Sequence, residues 1–356
     1  MRVMLHGAIN MSNYGDYLFA ELFGNAIKKF GAEVEYYAHP KYGVSDYFAK
    51  YLDYIPDRTH YKKVMEKCDA LVMISGGYFI EPLRKRPFAE FRRIQRYLAP
   101  AYYFLNAGKP IYILGVGAGP FTKAAFSRKS KKILEYAKVL TVRNEESKHF
   151  CREYGIKRDI EVTADTALLL KEYMESEKSN VKPFVIPLGR KMLLFHIDPQ
   201  NDVKEKMREI IIPAVKRFLD NNPDYQLYLA ADGVCSNEVY GEFADMFEGY
   251  LPEILKFDDP WVFTRQLECA DIIVTTKLHA GIVGSLFGRS VLSFPFVPNK
   301  TTRFYKQIGE SGRCKALSEV GSAEAYSMLE SYKGKGITVP AELIDRARIN
   351  FAYLPH

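Results

Sequence analysis

The chain of 356 residues is expected to be an α/β protein of two Rossmann-like, doubly wound domains with a cleft between them. Three observations lead there. Short apolar runs of strand length alternate with segments of helical period, the pattern of βαβ units and parallel sheets. Several of the runs, DALVMIS (69 to 75), PIYILGV (110 to 116) and DIIVTT (271 to 276), are apolar throughout, as strands covered on both faces are. A polar stretch with two prolines, KEYMESEKSNVKPFVIPLGR (171 to 190), interrupts the alternation midway, and the length exceeds one average domain.

VMLHGAI (3 to 9) reads as the first strand. Phe19, Leu22, Phe23, Ala26, Ile27 and Phe30 then share one helical face, and Gly31 stands where a helix C′ glycine belongs. EVEYYA (33 to 38) is the next strand, followed by the two apolar runs at 69 and 110. VLTVR (139 to 143) precedes a polar helix, EESKHFCREYG, and IEVTADTALLL closes the half. After the interruption, read as a linker, the pattern restarts with strand KMLLFHID (191 to 198), a helix near 203 to 220, strand YQLYLAA (225 to 231) and a helix near 236 to 248. Helix WVFTRQLECA, strand DIIVTT, helix LHAGIVGSLFG and strand SVLSFPF follow, and PAELIDRARINFAYL is a terminal helix. The expected division is an acceptor-side domain at 1–175, a donor-side domain at 190–335, and a C-terminal helix at 336–356 that packs back on the first domain.

The bulk numbers exclude several classes. A net charge of +7 suits an anionic substrate or an anionic membrane surface. The basic residues are spread out, which argues against nucleic acid; the densest run, SRKSKKILEYAK (127 to 138), reads as a solvated helix face. Five scattered cysteines without a CxxC pair point to a reducing compartment, with neither a disulfide scaffold nor a structural zinc site. The N-terminus lacks a signal-peptide pattern, and no window approaches the ~18 apolar residues of a membrane span. A cytoplasmic protein is expected, its place at the inner membrane face compatible with the charge. No HxH, HExxH or DxD cluster appears, so no metal and no bound cofactor is expected.

In doubly wound folds ligands sit beyond the carboxyl ends of the strands, and polar residues gather at several predicted strand ends. NMSNYGD (10 to 16) places Asn13, Gly15 and Asp16 at the first turn; Asp16 equally fits a helix cap. ISGGYF (74 to 79) offers Gly76 and Gly77 for close backbone approach to a ligand, or a plain tight turn. GVGAGP (115 to 120) contains Gly117, but Pro120 stands where a dinucleotide site would start its helix, so no such site is assigned. Arg143 ends a strand, where a guanidinium clamps a carboxylate or phosphate in two-pronged fashion or makes a surface salt bridge. TTKLH places Lys277 and His279 at a strand end just as a helix begins. Helix N-termini hold anions, a lysine strengthens the pull, and a histidine also moves a proton; the alternative is a core histidine. Lys300 and Arg303 follow the next strand in FPFVPNKTTRFYK (294 to 306), read as a proline-bearing basic loop.

Taken together these motifs resemble the polysaccharide pyruvyl transferase family. The resemblance runs from Asn13 to Arg303 and rests on N-x-G-D after the first strand, the glycines after ALVMI, G-x-G-x-G-P, V-R at 142 to 143, Ala-Asp-Thr-Ala at 164 to 167, and K-L-H-A followed by G-R-S-V and a downstream lysine. It implies a GT-B-like architecture. It also implies transfer of pyruvate from phosphoenolpyruvate, as co-substrate, to two hydroxyls of a sugar, giving a cyclic ketal and phosphate. The acceptor would be a polysaccharide precursor, free or lipid-linked, in exopolysaccharide or capsule biosynthesis. The resemblance places the family's Arg, His and Lys on Arg143, His279 and Lys300. His279 would then be the general acid, Arg143 and Lys300 would hold the anions with Lys277 assisting, and Asp16 would orient or deprotonate sugar hydroxyls. Three departures stand out: Lys277 replaces an arginine of R-L-H, Tyr78 follows Gly76 and Gly77 in place of a third glycine, and Asn144 follows V-R in place of an aspartate. The rival expectation is a GT-B glycosyltransferase using a nucleotide sugar, whose donor ribose would call for an acidic residue; Glu268 and Asp271 are the candidates, though both read better as surface residues near a helix end.

Overall fold

All strand pairings among the described residues are parallel. The computed structural model of the chain describes residues 1–9, 13–37, 58–81 and 88–355. It divides into two units, one of Met1–Leu169 with Ala341–His356 and one of Leu170–Pro340.

The first unit runs β1 (Arg2–His6), α1 (Tyr14–Lys29), β2 (Glu33–Tyr37), α2 (Arg58–Lys67), β3 (Ala70–Met73), β4 (Gly76–Phe79), a helical run over 89–106 (α3) whose middle, Ile94–Leu98, is π-helical, β5 (Ile111–Ala118), α4 (Ala124–Tyr136), β6 (Val139–Val142), α5 (Glu145–Glu153) and β7 (Glu161–Val162). Its sheet has the order β2-β1-β3-β5-β6-β7, with β4 also pairing β5. Because β3 and β5 are buried along their whole length, no alternation shows in their sequence. Phe19, Leu22, Phe23 and Ile27 are buried on the expected face together with Tyr17 and Leu18, but Ala26 is half-buried and Phe30, at the C-cap, is 52% exposed; Gly31 takes the left-handed conformation at φ 79°. α1 opens with Asn13, whose Oδ1 accepts from the Gly15 amide at 3.1 Å; Asp16 is the third residue inside the helix, so the cap is Asn13 rather than Asp16. Asn10, Met11 and Ser12 lie outside the described residues.

No side chain of its own caps α4. The buried Glu81 does so from a distance: its carboxylate accepts from the Thr122 and Lys123 amides, both at 2.5 Å, and from the Thr122 and Ser127 hydroxyls. Burial pushes the Glu81 carboxyl up, but these hydrogen bonds outweigh it and hold the group below its ordinary range. A carboxylate at a helix N-terminus also meets the positive end of the macrodipole. Pro120 therefore precedes a helix that starts only at Ala124, and the turn after β5 is not a dinucleotide loop.

The second unit runs α6 (Leu170–Glu177), β8 (Lys191–His196), a helical run over 201–221 (α7), β9 (Tyr225–Ala230), α8 (Asn237–Met246), β10 (Glu253–Leu255), α9 (Pro260–Cys269), β11 (Ile272–Thr275), α10 (Leu278–Leu286), β12 (Ser290–Ser293), α11 (Asn299–Gln307) and α12 (Ser322–Tyr332). The sheet order is β10-β9-β8-β11-β12. Several elements differ from the sequence expectation. The start of the expected linker is helix α6, because Leu170, Tyr173 and Met174 recur at helical spacing and are buried. The basic segment with Lys300 and Arg303 is helix α11 rather than a loop; Pro298 stands at its N-cap, where proline is tolerated because the helix needs no amide there. Neither α3 nor α12 was read from the sequence, and the pair of glycines at 76 begins a short strand.

The last helix, α13 (Ala341–Ala352), belongs to the first unit. Asn350 is fully buried in it. Its Oδ1 accepts from the Thr141 hydroxyl at 2.5 Å and the Thr163 hydroxyl at 3.0 Å, and its Nδ2 donates to the Ala164 carbonyl. Thr141 Oγ1 in turn accepts from the Gly115 amide at 2.7 Å. Gly115 is left-handed at φ 65°, and the β5–β6 register shifts between Ile113 and Val116. One amide thus ties three strand ends to the terminal helix. Asn350→Leu leaves the buried Thr141 hydroxyl without its acceptor, at a cost of about 1–3 kcal/mol, while the Thr163 hydroxyl keeps the Val142 carbonyl at 3.3 Å. The expected result is a urea midpoint lowered without a change in slope; an unchanged midpoint refutes the role.

Candidate functional site

In the first unit the sequence-predicted residues lie along one edge of the sheet. β1, β3, β5 and β6 are neighbours and parallel, so their carboxyl ends share that edge, with His6 opposite Met73 and Val116 opposite Val142. Arg143 leaves the tip of β6 and lies over the tip of β5. A Cβ on Gly117 would sit 3.1 Å from its Nη2, so the glycine makes room for the guanidinium. Arg143 Nη1 meets Asp165 Oδ2 at 3.0 Å, the two side chains only 7% and 6% exposed. The surface salt bridge weighed from sequence is therefore a buried one. Asp165 Oδ1 accepts from the Ala167 amide at 3.1 Å, and Thr166 donates to Ser75 Oγ at 2.8 Å. The Ala-Asp-Thr-Ala motif thus holds both Arg143 and the turn after β3.

Two family departures find their place on this edge. Tyr78 is buried; its hydroxyl donates to the Ser75 carbonyl at 2.8 Å and accepts from the Ala8 amide at 3.3 Å. Cβ atoms on Gly7 and Gly76 would meet that ring at 2.6 and 2.4 Å, so the tyrosine fills the space beside these two glycines. Burial raises the Tyr78 phenol well above its usual range; the charge of Asp16 adds to this and that of Arg143 opposes it. Asp16, half-buried in the first turn of α1, and Arg143 therefore both act on the same buried hydroxyl. Gly77 gives its carbonyl to Arg93. Asn144 caps α5, its Oδ1 accepting from the Ser147 amide at 2.9 Å, a task aspartate performs equally.

In the second unit the turn after β11 carries the cluster. Thr275 Oγ1 accepts from the Lys277 amide at 3.0 Å, and Lys277 is the N-cap residue of α10. His279, half-buried, is the second residue of that helix. The helix lies tight on the sheet: a Cβ on Gly284 would meet Ile273 at 2.5 Å and Val291 at 2.9 Å, and one on Gly281 the Tyr305 hydroxyl at 2.8 Å. Its glycines are thus explained by close approach. Lys300, exposed, and Arg303, half-buried, stand in α11 after the adjacent strand β12.

Lys277 has a partner that sequence reasoning missed. Its Nζ lies 2.8 Å from Asp198 Oδ2, with the side chains 23% and 3% exposed, and Thr276 donates to the same oxygen at 3.1 Å. Burial pulls the Lys277 ammonium down, but Asp232 and Asp198 more than offset it and raise it above its usual range. Burial likewise pushes Asp198 up, and Lys277 holds it below the carboxylate range. A lysine, a point charge, suffices for this pairing, whereas a carboxylate clamp calls for arginine's fork. Asp198 and Asp232 follow β8 and β9, and the strand-end rule that singled out His279 would have found them too. The fully buried His196 has its Nε2 3.7 Å from Asp232 Oδ1; burial chiefly lowers its imidazole, which keeps it neutral.

The residues considered for a donor ribose are otherwise engaged. Glu268 pairs with Arg265 at 2.7 Å, and Asp271 Oδ2 accepts from the Met192 amide at 2.8 Å. Among the described residues no helix is long and apolar enough to cross a membrane, and no group of three or more His, Cys, Asp or Glu is placed to hold a metal ion.

Known proteins add two kinds of likeness. The family model for polysaccharide pyruvyl transferase matches residues 13–295. No curated protein matches the chain. Among solved structures, a complex of S. aureus MnaA with UDP superposes with a TM-score of 0.66 at 13% identity, covering 98% of this chain and 94% of the other. UDP-GlcNAc 2-epimerase from Neisseria meningitidis bound to UDP-GlcNAc gives 0.65 at 13% identity, with 98% of each chain covered. MurG from Acinetobacter baumannii gives 0.50 at 13% identity, covering 99% and 95%. At such identities the likeness is one of fold, two parallel-sheet α/β domains of the GT-B kind.

Proposed function

Because the chain belongs to the polysaccharide pyruvyl transferase family and is thereby a pyruvyl transferase, we propose that it takes pyruvate from phosphoenolpyruvate and closes it as a ketal on two hydroxyls of a sugar. The acceptor would be a polysaccharide precursor, free or carried on a lipid. Supporting this reading above all is the family match from residue 13 to 295, which spans the strand-end motifs that carry Arg143, Lys277 and His279. The donor carries a phosphate and a carboxylate on three carbons, so it calls for several cations.

The reaction balances without a further reagent. One hydroxyl proton of the acceptor is matched by the proton added to the methylene carbon of the donor, which becomes a methyl. The resulting oxocarbenium-like centre takes the first sugar oxygen. The second sugar oxygen replaces the phosphate oxygen on the same carbon, and its proton leaves with phosphate. His279 is assigned the proton donation to carbon, a step typically worth about 10²–10⁴-fold. Arg143, set over Gly117 by Asp165, is assigned to an anionic group of the donor, and Lys300 of the second unit is assigned an anion-binding role of its own. Arg303 adds positive charge to the same helix. Asp16 is assigned to the acceptor hydroxyls, in company with Asn13, Gly15, Gly76 and Gly77. Lys277 contributes charge but is already paired with Asp198, so its part is to hold the turn that presents His279.

The test is phosphate release from phosphoenolpyruvate across a panel of free and lipid-linked glycans, run beside a panel of nucleotide sugars. Release from phosphoenolpyruvate dependent on one acceptor is the expected result. Nucleoside diphosphate release from a nucleotide sugar, with phosphoenolpyruvate inert, would replace this reading with a glycosyltransferase.

A further inference from the structure

We propose that the face of the first unit built from α3 and the adjoining α4 is a docking surface for an anionic lipid bilayer. Phe88 and Phe91 are 75% and 59% exposed. At helical spacing from them come Arg92, Gln95 and Tyr102, none of them buried, so one stripe begins with two bare aromatic rings and continues as cationic and amphipathic side chains. α4 lies alongside. The Phe126 amide donates to Glu90 at 2.6 Å, and the Tyr102 hydroxyl donates to the Lys129 carbonyl at 3.1 Å. Lys129 and Lys132 hold their ammonium groups 4.8 and 5.9 Å from the Tyr102 ring centroid. Arg128, Lys129 and Lys132 are all exposed, so the two helices present their cations beside the same tyrosine.

The charge is lopsided. Residues 88 to 136, which take in both helices, contain nine lysines and arginines (Arg92, Arg93, Arg96, Lys109, Lys123, Arg128, Lys129, Lys131, Lys132) against two carboxylates, Glu90 and Glu135. Each carboxylate is itself engaged by a backbone amide, Glu90 by that of Phe126 and Glu135 by that of Lys157. A solvated helix face needs neither such imbalance nor exposed phenylalanines. Aromatic rings that enter the headgroup region beside cations that meet anionic lipids account for both. A polyanion such as nucleic acid would use the cations alike but would gain little from rings at the rim, so the phenylalanines decide the occupant.

The surface rests on the proposed function only in that a lipid-carried acceptor gives the docking a purpose. Vesicle binding is read without turnover, and phosphate release with a soluble acceptor is read without vesicles, so each fails or stands separately. The full chain is floated with vesicles of phosphatidylglycerol and phosphatidylcholine in equal parts, and with phosphatidylcholine alone. The expected result is binding to the first, weak binding to the second, and loss with added salt. Phe88→Ser with Phe91→Ser should weaken binding about tenfold or more. Arg128→Glu, Lys129→Glu and Lys132→Glu together should weaken it at least about a hundredfold, since each cation is worth about fivefold. Far-ultraviolet circular dichroism and the thermal midpoint check that both variants fold as the parent does. Absence of binding to the anionic vesicles overturns the proposal. So does binding that survives loss of both phenylalanines, which would mark a general polyanion surface; duplex DNA competing as well as the vesicles would show the same.

Discussion

His279→Ala is expected to lower kcat for phosphate release by about 10²–10⁴-fold while KM for phosphoenolpyruvate changes little. The expectation follows from where the side chain stands. His279 is in the first turn of α10, at the tip of a buried parallel strand, where the fold supplies a fixed direction and the positive end of the helix dipole. Anion binding is assigned to other groups, so removing the ring should strike the proton transfer rather than affinity. Phosphate release with a responsive acceptor, over a range of donor concentrations, makes the measurement. Wild-type turnover in the variant would end the assignment of His279 as the acid. A KM raised with kcat intact would move the ring to a binding role.

The second large effect concerns Arg143 and Asp165. Asp165→Ala leaves a guanidinium buried without its carboxylate, which typically costs about 3–5 kcal/mol, and also removes the acceptor of the Ala167 amide. A strongly lowered urea midpoint together with lost activity is expected. Those two losses are separated by a double variant, Arg143→Met with Asp165→Leu. Replacing a buried ion pair by apolar groups of similar size is often neutral for stability. The double variant should therefore recover much of the midpoint and none of the phosphate release. Recovery of both would show that Arg143 serves the fold alone. Failure to recover either, with the single Asp165→Ala variant stable, would contradict the buried pair.

Lys277 shows how reading and structure differ. From the sequence it is a cation beside a helix N-terminus and so a candidate for gripping an anion. In the fold it is the partner of Asp198, because β8 and β11 are neighbours in the sheet although two strands and several helices separate them along the chain. Asp16 is the converse case. Both cap and ligand-facing roles were open in the sequence; the structure gives the cap to Asn13 and sets Asp16, half-buried, inside the first turn of α1. The expectation of a proline-bearing loop around Lys300 failed because Pro298 stands at the N-cap, where proline is compatible with the helix that follows.

The sequence by itself determined the fold class and marked the strand ends where polar and charged residues gather. Alternating apolar runs and helical faces specify parallel α/β units, since the period of burial is written locally. The strand-end rule then points to Arg143, His279 and the glycines without knowledge of strand order. Only the tertiary structure decided which groups pair: Arg143 with Asp165, Lys277 with Asp198, Asn350 with the hydroxyls of two strands. Partnership at a sheet edge depends on which strands become neighbours, and that is set by the burial of the whole unit rather than by any residue's local surroundings.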